Sequence, residues 1–121
     1  MTAYRMPRDS AAEKTMRGRA IQEALQQATL IPLDITRACA QVIALSQPLV
    51  EMGNPNVIGD TGVAVTCAQA GLKGAAIDAY INLGMIKDED FVTNHRAALN
   101  EILDVHDDLA NEIYALIKNR F

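Results

Sequence analysis

Apolar residues recur at helical intervals along most of this chain, and the character of the pattern shifts from segment to segment. From Ala11 to about Ala28 the apolar stripe is sparse. Met16, Ala20, Ile21, Ala24 and Leu25 fall on one side, while Arg17, Arg19, Glu23 and Gln27 fall largely elsewhere. Beyond Pro32 the stripe continues through Leu33, Ile35, Ala38, Val42, Ile43 and Leu45. One long helix kinked near Pro32, or two helices nearly end to end, accounts for both halves. Ser10 and Glu13 match the S-x-x-E capping box and set the start near residue 10. Asp34 and Arg37 stand three apart and are expected to pair on the surface. Pro48 is a second interruption, after which a last turn reaches Met52. Gly53 suits the left-handed residue that closes a helix.

From Thr61 to about Met85 the pattern is apolar nearly all round, with glycine and alanine interleaved among Val63, Val65, Leu72, Ile77, Ile81 and Leu83. Such a helix is expected to be buried on most faces. Its glycines each cost about 1 kcal/mol relative to alanine, which close approach of a neighbouring backbone would offset. The last segment is amphipathic from about Glu89 to Arg120. Leu99, Ile102, His106, Leu109, Ile113 and Leu116 form a bundle seam, with Glu101, Asp104, Asp107, Asp108 and Glu112 on the wet side. Asp88, Glu89 and Asp90 suit its N-terminus, and Lys118 and Arg120 its C-terminus. The prediction is an all-α, antiparallel up-and-down bundle of long helices, a single domain over residues 1–121. Residues 1–6 read as the tail of a helix that Pro7 stops.

Composition narrows the function classes. Alanine, leucine and isoleucine supply most of the apolar surface, and there are three tyrosines, two phenylalanines and no tryptophan. The net charge of −4 comes without a basic block, which argues against nucleic acid as a partner. No uninterrupted apolar run reaches the roughly 18 residues of a membrane span, and the first residues lack a signal-peptide core, so no membrane partner is expected. Cys39 and Cys67 lie in helical segments without metal-ligand spacing and read as two buried thiols in a reducing, cytoplasmic setting. His106 on the seam reads as half-buried and satisfied by a carboxylate, and His95 as solvated. No metal-binding, phosphate-loop or nucleophile-elbow pattern is present, so no metal and no cofactor are expected.

One stretch concentrates small polar chemistry: Gly53-Asn54-Pro55-Asn56-Val57-Ile58-Gly59-Asp60-Thr61-Gly62. It reads first as an interhelical turn, with Pro55 and the asparagines shaping the bend and the next helix beginning between Val57 and Asp60. The second reading, behind the turn on the residues alone, is a polar notch. Asn54 and Asn56 offer amide donors and acceptors. Asp60, expected at a helix start, offers an ionised carboxylate able to accept a hydrogen bond, orient a water or move a proton. Such a notch suits a planar heterocycle with alternating donors and acceptors.

The stretch from Gly53 to Ala64 resembles the GN-x-N-x-x-x-D-x-G-V-A segment of the formiminotetrahydrofolate cyclodeaminase family, which includes bacterial methenyltetrahydrofolate cyclohydrolases. Tyr4-Arg5-Met6-Pro7 with Glu13-Lys14 resembles that family's YRLPK…EEK junction. Ile81-Asn82-Leu83 with Ile86-Lys87-Asp88-Glu89 resembles its INL…IKDE segment. The resemblance implies an up-and-down helical bundle that forms a homodimer, a tetrahydrofolate derivative as substrate, and no metal. It implies either a cyclodeaminase, turning formimino-tetrahydrofolate into methenyl-tetrahydrofolate and ammonia, or a cyclohydrolase, interconverting methenyl- and formyl-tetrahydrofolate with water. Asn54, Asn56 and Asp60 carry over as substrate-binding candidates by motif match. Family members also carry a Gly-rich PGGGS-x-A-A segment and an aspartate before the Tyr-Arg junction, neither of which is in this sequence. The chain is therefore expected to correspond to the C-terminal two-thirds of the domain, and no catalytic residue carries over. The alternative to an enzyme is a non-catalytic helical piece or partner subunit that keeps part of the folate site.

Overall fold

A computed structural model of the chain describes residues 2–120. A single 3₁₀ turn at Ala3–Arg5 precedes three helices: α1 at Ala11–Met52, α2 at Pro55–Leu83 and α3 at Glu89–Lys118. The expected helix tail over residues 1–6 is thus one short turn, which Met6 ends in extended conformation with ψ 149°. Met1 lies outside the described residues.

The capping box forms as expected. Ser10 Oγ accepts from the Glu13 amide at 3.2 Å, and Glu13 Oε2 accepts from the Ser10 amide at 2.9 Å. Hydrogen bonds from the Ser10 and Asp9 amides hold the Glu13 carboxyl below its ordinary value of 4.5. The surface pair forms as well, with Arg37 Nη1 donating to Asp34 Oδ1 at 2.9 Å.

The helix α1 runs unbroken through both Pro32 and Pro48, so the two-helix alternative is set aside. A proline inside a helix lacks the amide that would bond the carbonyl four residues back. For Pro32 that carbonyl belongs to Ala28, and the Asn82 side-chain amide of α2 donates to it instead, at 3.4 Å. On the same buried side, Thr29, Thr36 and Ser46 turn their hydroxyls onto the Leu25, Pro32 and Val42 carbonyls, each at 2.8 Å. These bonds satisfy buried polar groups and favour a bend in the helix.

The helices pack in an antiparallel succession. Leu25, Leu83 and Ile86 meet at one end with Phe91 and Val92 against them. Leu33, Ala76, Ala79 and Leu99 follow. Ile43, Val50, Ile58, Val65, Leu72 and Ile113 fill the rest. The start of α1, the end of α2 and the start of α3 therefore share one end, and the 53–62 stretch sits at the other. The α2–α3 loop is tied to α1: Gln22 Nε2 donates to the Met85 carbonyl at 3.1 Å, and Gln22 Oε1 accepts from the Lys87 amide at 2.7 Å.

Several expectations need correction. Leu116 is 48% exposed, and Ile117 takes the core-facing place beside Leu103, Ala110 and Ile113. Met16 is 63% exposed and lies off the core. His106 is half-buried, but its Nδ1–H donates to the Ile102 carbonyl at 2.8 Å, with no carboxylate involved. His95 is half-buried too: it stacks on Phe91 at 3.9 Å and donates to that residue's carbonyl. Of the two cysteines, Cys39 is half-buried and Cys67 exposed. The helix α2 is buried on one side only, since Val63, Ile77 and Ile81 are exposed.

The α2 glycines do not admit a neighbouring backbone as expected; where a neighbour comes close, it is a side chain. A Cβ on Gly71 would lie 2.9 Å from Cys39 Sγ of α1, whereas Gly59 and Gly74 face open space. Gly71→Ala is therefore expected to lower stability by about 1 kcal/mol or more, because overpacking of roughly 1–3 kcal/mol outweighs the gain in helix propensity. Adding Cys39→Ala should remove that penalty. Urea unfolding of the single and double variants checks it, and a stabilised Gly71→Ala single variant would show the contact to be absent.

Candidate functional site

Local folding rules decide which members of the 53–62 stretch face inward. Gly53 closes α1 at φ 69°, the left-handed conformation that glycine adopts without steric cost. Asn54 caps α2, its Oδ1 accepting from the Asn56 amide at 3.1 Å, and Pro55 takes the first helical position. The helix thus starts before the expected Val57–Asp60 window. Asp60 lies past the first turn of α2, so it neither caps the helix nor meets its free amides. Ile58, 2% exposed, anchors the stretch in the core, and Thr61 donates its hydroxyl to the Val57 carbonyl at 2.9 Å. With Ile58 and Thr61 turned inward, Asn54, Asn56, Gly59 and Asp60 are left exposed.

Two hollows flank the stretch. The larger, about 440 Å³, lies between the start of α2 and the end of α3. Gly59, Gly62 and Val63 line it from α2, and Tyr114, Ile117 and Lys118 face them from α3. Gly62 lets α3 come near, since a Cβ there would lie 3.0 Å from Ile117 Cδ1. Thr66 and the exposed Cys67 extend the wall along α2. The smaller hollow, about 290 Å³, is bounded by Gly53, Pro55, Ile58 and Arg120. Asp60 lines neither; it adjoins Gly59 and stands one helical turn before Val63, two residues that line the larger one. The three candidate residues therefore share one end of the bundle without converging on a single point. Asn54 Oδ1 is already engaged as the cap of α2.

A third hollow, about 460 Å³, opens further along the α2–α3 seam beside Lys73 and Tyr80. It holds a bonded network. Gln69 Nε2 donates to Asp107 Oδ1 at 2.6 Å and to Asn111 Oδ1 at 2.9 Å, and Lys73 Nζ lies 2.7 Å from Asp107 Oδ1. Lys73, and then Gln69, hold the Asp107 carboxyl below its ordinary value of 3.8. Tyr80 donates to Asn100, and the Arg96 guanidinium lies over its ring at 5.4 Å. A carboxylate held by both a cation and an amide is a weak proton acceptor. We read this network as a polar cross-link between α2 and α3. Among the described residues, no group of three or more His, Cys, Asp or Glu side chains is placed to hold a metal ion.

Sequence reasoning misses Tyr114 altogether. It treats Lys118 only as a helix-end charge. The signal that finds Tyr114 is its place one residue off the apolar seam, which makes it an exposed aromatic on a polar face. The INL and IKDE segments each make a contact with α1: Asn82 serves the carbonyl orphaned by Pro32, and the Lys87 amide docks on Gln22.

Comparison with known proteins adds an independent line. The methenyltetrahydrofolate cyclohydrolase of Methylorubrum extorquens is 40% identical over 120 residues, covering 99% of this chain and 58% of that protein. The formimidoyltransferase-cyclodeaminase of Rattus norvegicus is 30% identical over 101 residues, 84% of this chain and 19% of its own length. The Sus scrofa protein of the same name is 30% identical over 103 residues, again 19% of its length. The chain thus spans less than two-thirds of each of these relatives. The profile of the formiminotransferase-cyclodeaminase family matches residues 1–101, which include every element up to the middle of α3 and the whole 53–62 stretch. On that match, the chain belongs to the formiminotransferase-cyclodeaminase family.

Proposed function

We propose that the chain binds a one-carbon tetrahydrofolate at the hollow beside the 53–62 stretch and belongs to a methenyltetrahydrofolate cyclohydrolase activity. The observation that carries this reading is the position of the motif. Gly59 and Gly62 floor a largely apolar hollow of about 440 Å³, and the exposed Asp60 follows Gly59 in the chain without lining it. The volume lies within the roughly 300–1,000 Å³ typical of small-molecule sites. Two glycines on one helix face leave a flat floor for a planar bicyclic ring. Tyr114 offers a ring to stack on it, and Lys118 a cation for the carboxylate-bearing tail. Asn56 and Asp60 supply donor and acceptor groups for the heterocycle's edge.

Cyclohydrolysis needs a water oxygen to bond the methenyl carbon while that water loses a proton. The carbon–nitrogen bond to the ring then breaks, its electron pair stays on the ring nitrogen, and the hydroxyl proton moves to that nitrogen. The product is the formyl compound, with one net proton released. The exposed Asp60 carboxylate suits the first role, as acceptor of the water proton. The cyclohydrolase reading is preferred to the cyclodeaminase one because identity is 40% over nearly the whole chain with the former and 30% with the latter. A second reading follows from the 58% coverage of the cyclohydrolase: the chain supplies the binding wall, and further polypeptide supplies the rest of the catalytic set.

Titration of methenyl-tetrahydrofolate into Asp60→Asn tests the assignment. A hydrogen bond to a charged group is worth about 1.5–3 kcal/mol, so affinity should fall roughly tenfold or more while the helical circular dichroism is unchanged. Unchanged affinity would remove Asp60 from the site.

A further inference from the structure

The smaller hollow beside the 53–62 stretch continues the larger one. Pro55 and Ile58 bound it from α2, and Gly59 and Gly62, each one helical turn further on, floor the larger one. The two hollows therefore follow one another along one face of α2. From Pro55 to Thr66 that face runs roughly 16 Å, at 1.5 Å of rise per residue. The end of α3 supplies the facing side in reverse order, with Tyr114 and Lys118 at the larger hollow and Arg120 at the smaller.

Arg120 lies where the turn at Gly53 leaves room for it. Its amide closes the end of α3 by donating to the Ile117 carbonyl at 3.1 Å. Its guanidinium then reaches the α1–α2 turn, where a Cβ on Gly53 would lie 3.3 Å from Arg120 Nη1. The glycine that ends α1 in the left-handed conformation thus also offers the bare backbone on which the guanidinium rests. Among the described residues, no carboxylate neutralises it: the ion pairs join Arg19 to Glu23, Arg37 to Asp34 and Lys73 to Asp107. Glu51, the acidic residue nearest to Gly53 in sequence, already accepts from Gln47 at 3.1 Å. Lys118 and Arg120 are left as two cations, one at each hollow.

We infer that Arg120 is a specificity-determining residue, the second anchor for the tail of the one-carbon tetrahydrofolate. The inference rests on the placement of that ligand at the larger hollow. Its tail is a glutamate, with one carboxylate on the α carbon and another at the end of the side chain. Lys118 meets the inner carboxylate and Arg120 the terminal one. A guanidinium grips a carboxylate through two parallel N–H···O bonds, which a lysine cannot do. A guanidinium already laid against the backbone also gives up less freedom on binding than one free in solvent. The pair of cations sets the direction of the ligand, with the bicyclic ring toward Tyr114 and the tail toward Gly53.

Two ligands test this role: methenyl-tetrahydrofolate, and its analogue with glutamine in place of the tail glutamate. The analogue keeps the inner carboxylate and ends in a neutral amide. Equilibrium titration of the parent chain should show the first bound about tenfold more tightly, the scale of a hydrogen bond to a charged group. Arg120 is exposed, so Arg120→Ala should keep its helical circular dichroism. That variant should lose the preference by weakening the first ligand alone, and Arg120→Lys should keep part of it. Lys118→Ala should weaken both ligands by the same factor; a loss confined to methenyl-tetrahydrofolate would give the terminal carboxylate to Lys118 instead and overturn the assignment. A parent chain that binds both ligands equally would overturn the role of Arg120 and leave the folate site standing. Arg120→Ala that weakens both alike would also overturn it, by making the residue a support for the turn at Gly53. A parent chain that binds neither ligand would overturn the folate reading and this inference together.

Discussion

Leu72→Ala is expected to lower the unfolding free energy by about 3–5 kcal/mol, the upper part of the range for buried leucine truncations. Leu72 has no exposed surface and lies midway along α2, in the cluster that also holds Ala40, Ile43, Ala68 and Ala110. Its cluster includes Ala40, Ala68 and Ala110, one on each helix, whose short side chains cannot move in to refill the space. A cavity left there stays open, and its cost adds to the lost transfer energy. Leu116→Ala makes the contrast. The seam pattern assigns Leu116 the same core role, yet it is 48% exposed, so its truncation should cost about 1 kcal/mol or less. Equilibrium urea unfolding of both variants measures the difference. Equal losses would mean that α3 is rotated relative to its described packing.

Gly59→Leu is expected to abolish measurable binding of methenyl-tetrahydrofolate, a loss of at least tenfold, while leaving the fold as stable as before or more so. No atom lies within 4 Å of the position a Cβ would occupy at Gly59, so the side chain enters the hollow without striking the protein. Replacing glycine inside a helix removes a penalty of roughly 0.5–1 kcal/mol. A variant that melts later yet no longer binds separates site occlusion from unfolding. Gly62 is less suited to the same test, because a Cβ there already presses on Ile117. Undiminished binding by Gly59→Leu would move the ligand away from this hollow.

What the sequence shows of the fold lies mainly in local signals. Ser10 with Glu13, Asp34 with Arg37, and Gly53 act through contacts between near neighbours, and the structure realises each of them. The failures have physical causes of their own. Asn54-Pro55 is a helix start with its own cap, a stronger signal than the carboxylate of Asp60, which places the boundary too late. The seam pattern of α3 keeps a period of 3.5, but a straight helix drifts by about 20° per heptad. By the last turn that drift has carried Leu116 out and Ile117 in. His106 and His95 bond to carbonyls within their own helices, a choice that pattern alone does not distinguish from a carboxylate partner.

The candidate site is half legible in the sequence. The α2 side lies in one short stretch, and its turn chemistry and motif draw attention to it. The α3 side, Tyr114 and Lys118, lies more than fifty residues further along the sequence and becomes part of the site only because the end of α3 returns to the start of α2. The local sequence marks Tyr114 only as an aromatic one residue off the apolar seam, and does not say what it faces. On α1, Ile35, Ala38, Val42 and Leu45 read as an apolar face and are exposed. The pattern puts them on the same face as Leu33 and Ile43, and only the packing separates the two.

The most direct test of the functional account is equilibrium titration of methenyl-tetrahydrofolate into the 121-residue chain, with Gly59→Leu run in parallel. Saturable binding by the parent chain, absent in the folded variant, is the expected result. A parent chain that is fully helical and shows no saturable binding would contradict the placement of a folate site at this end of the bundle.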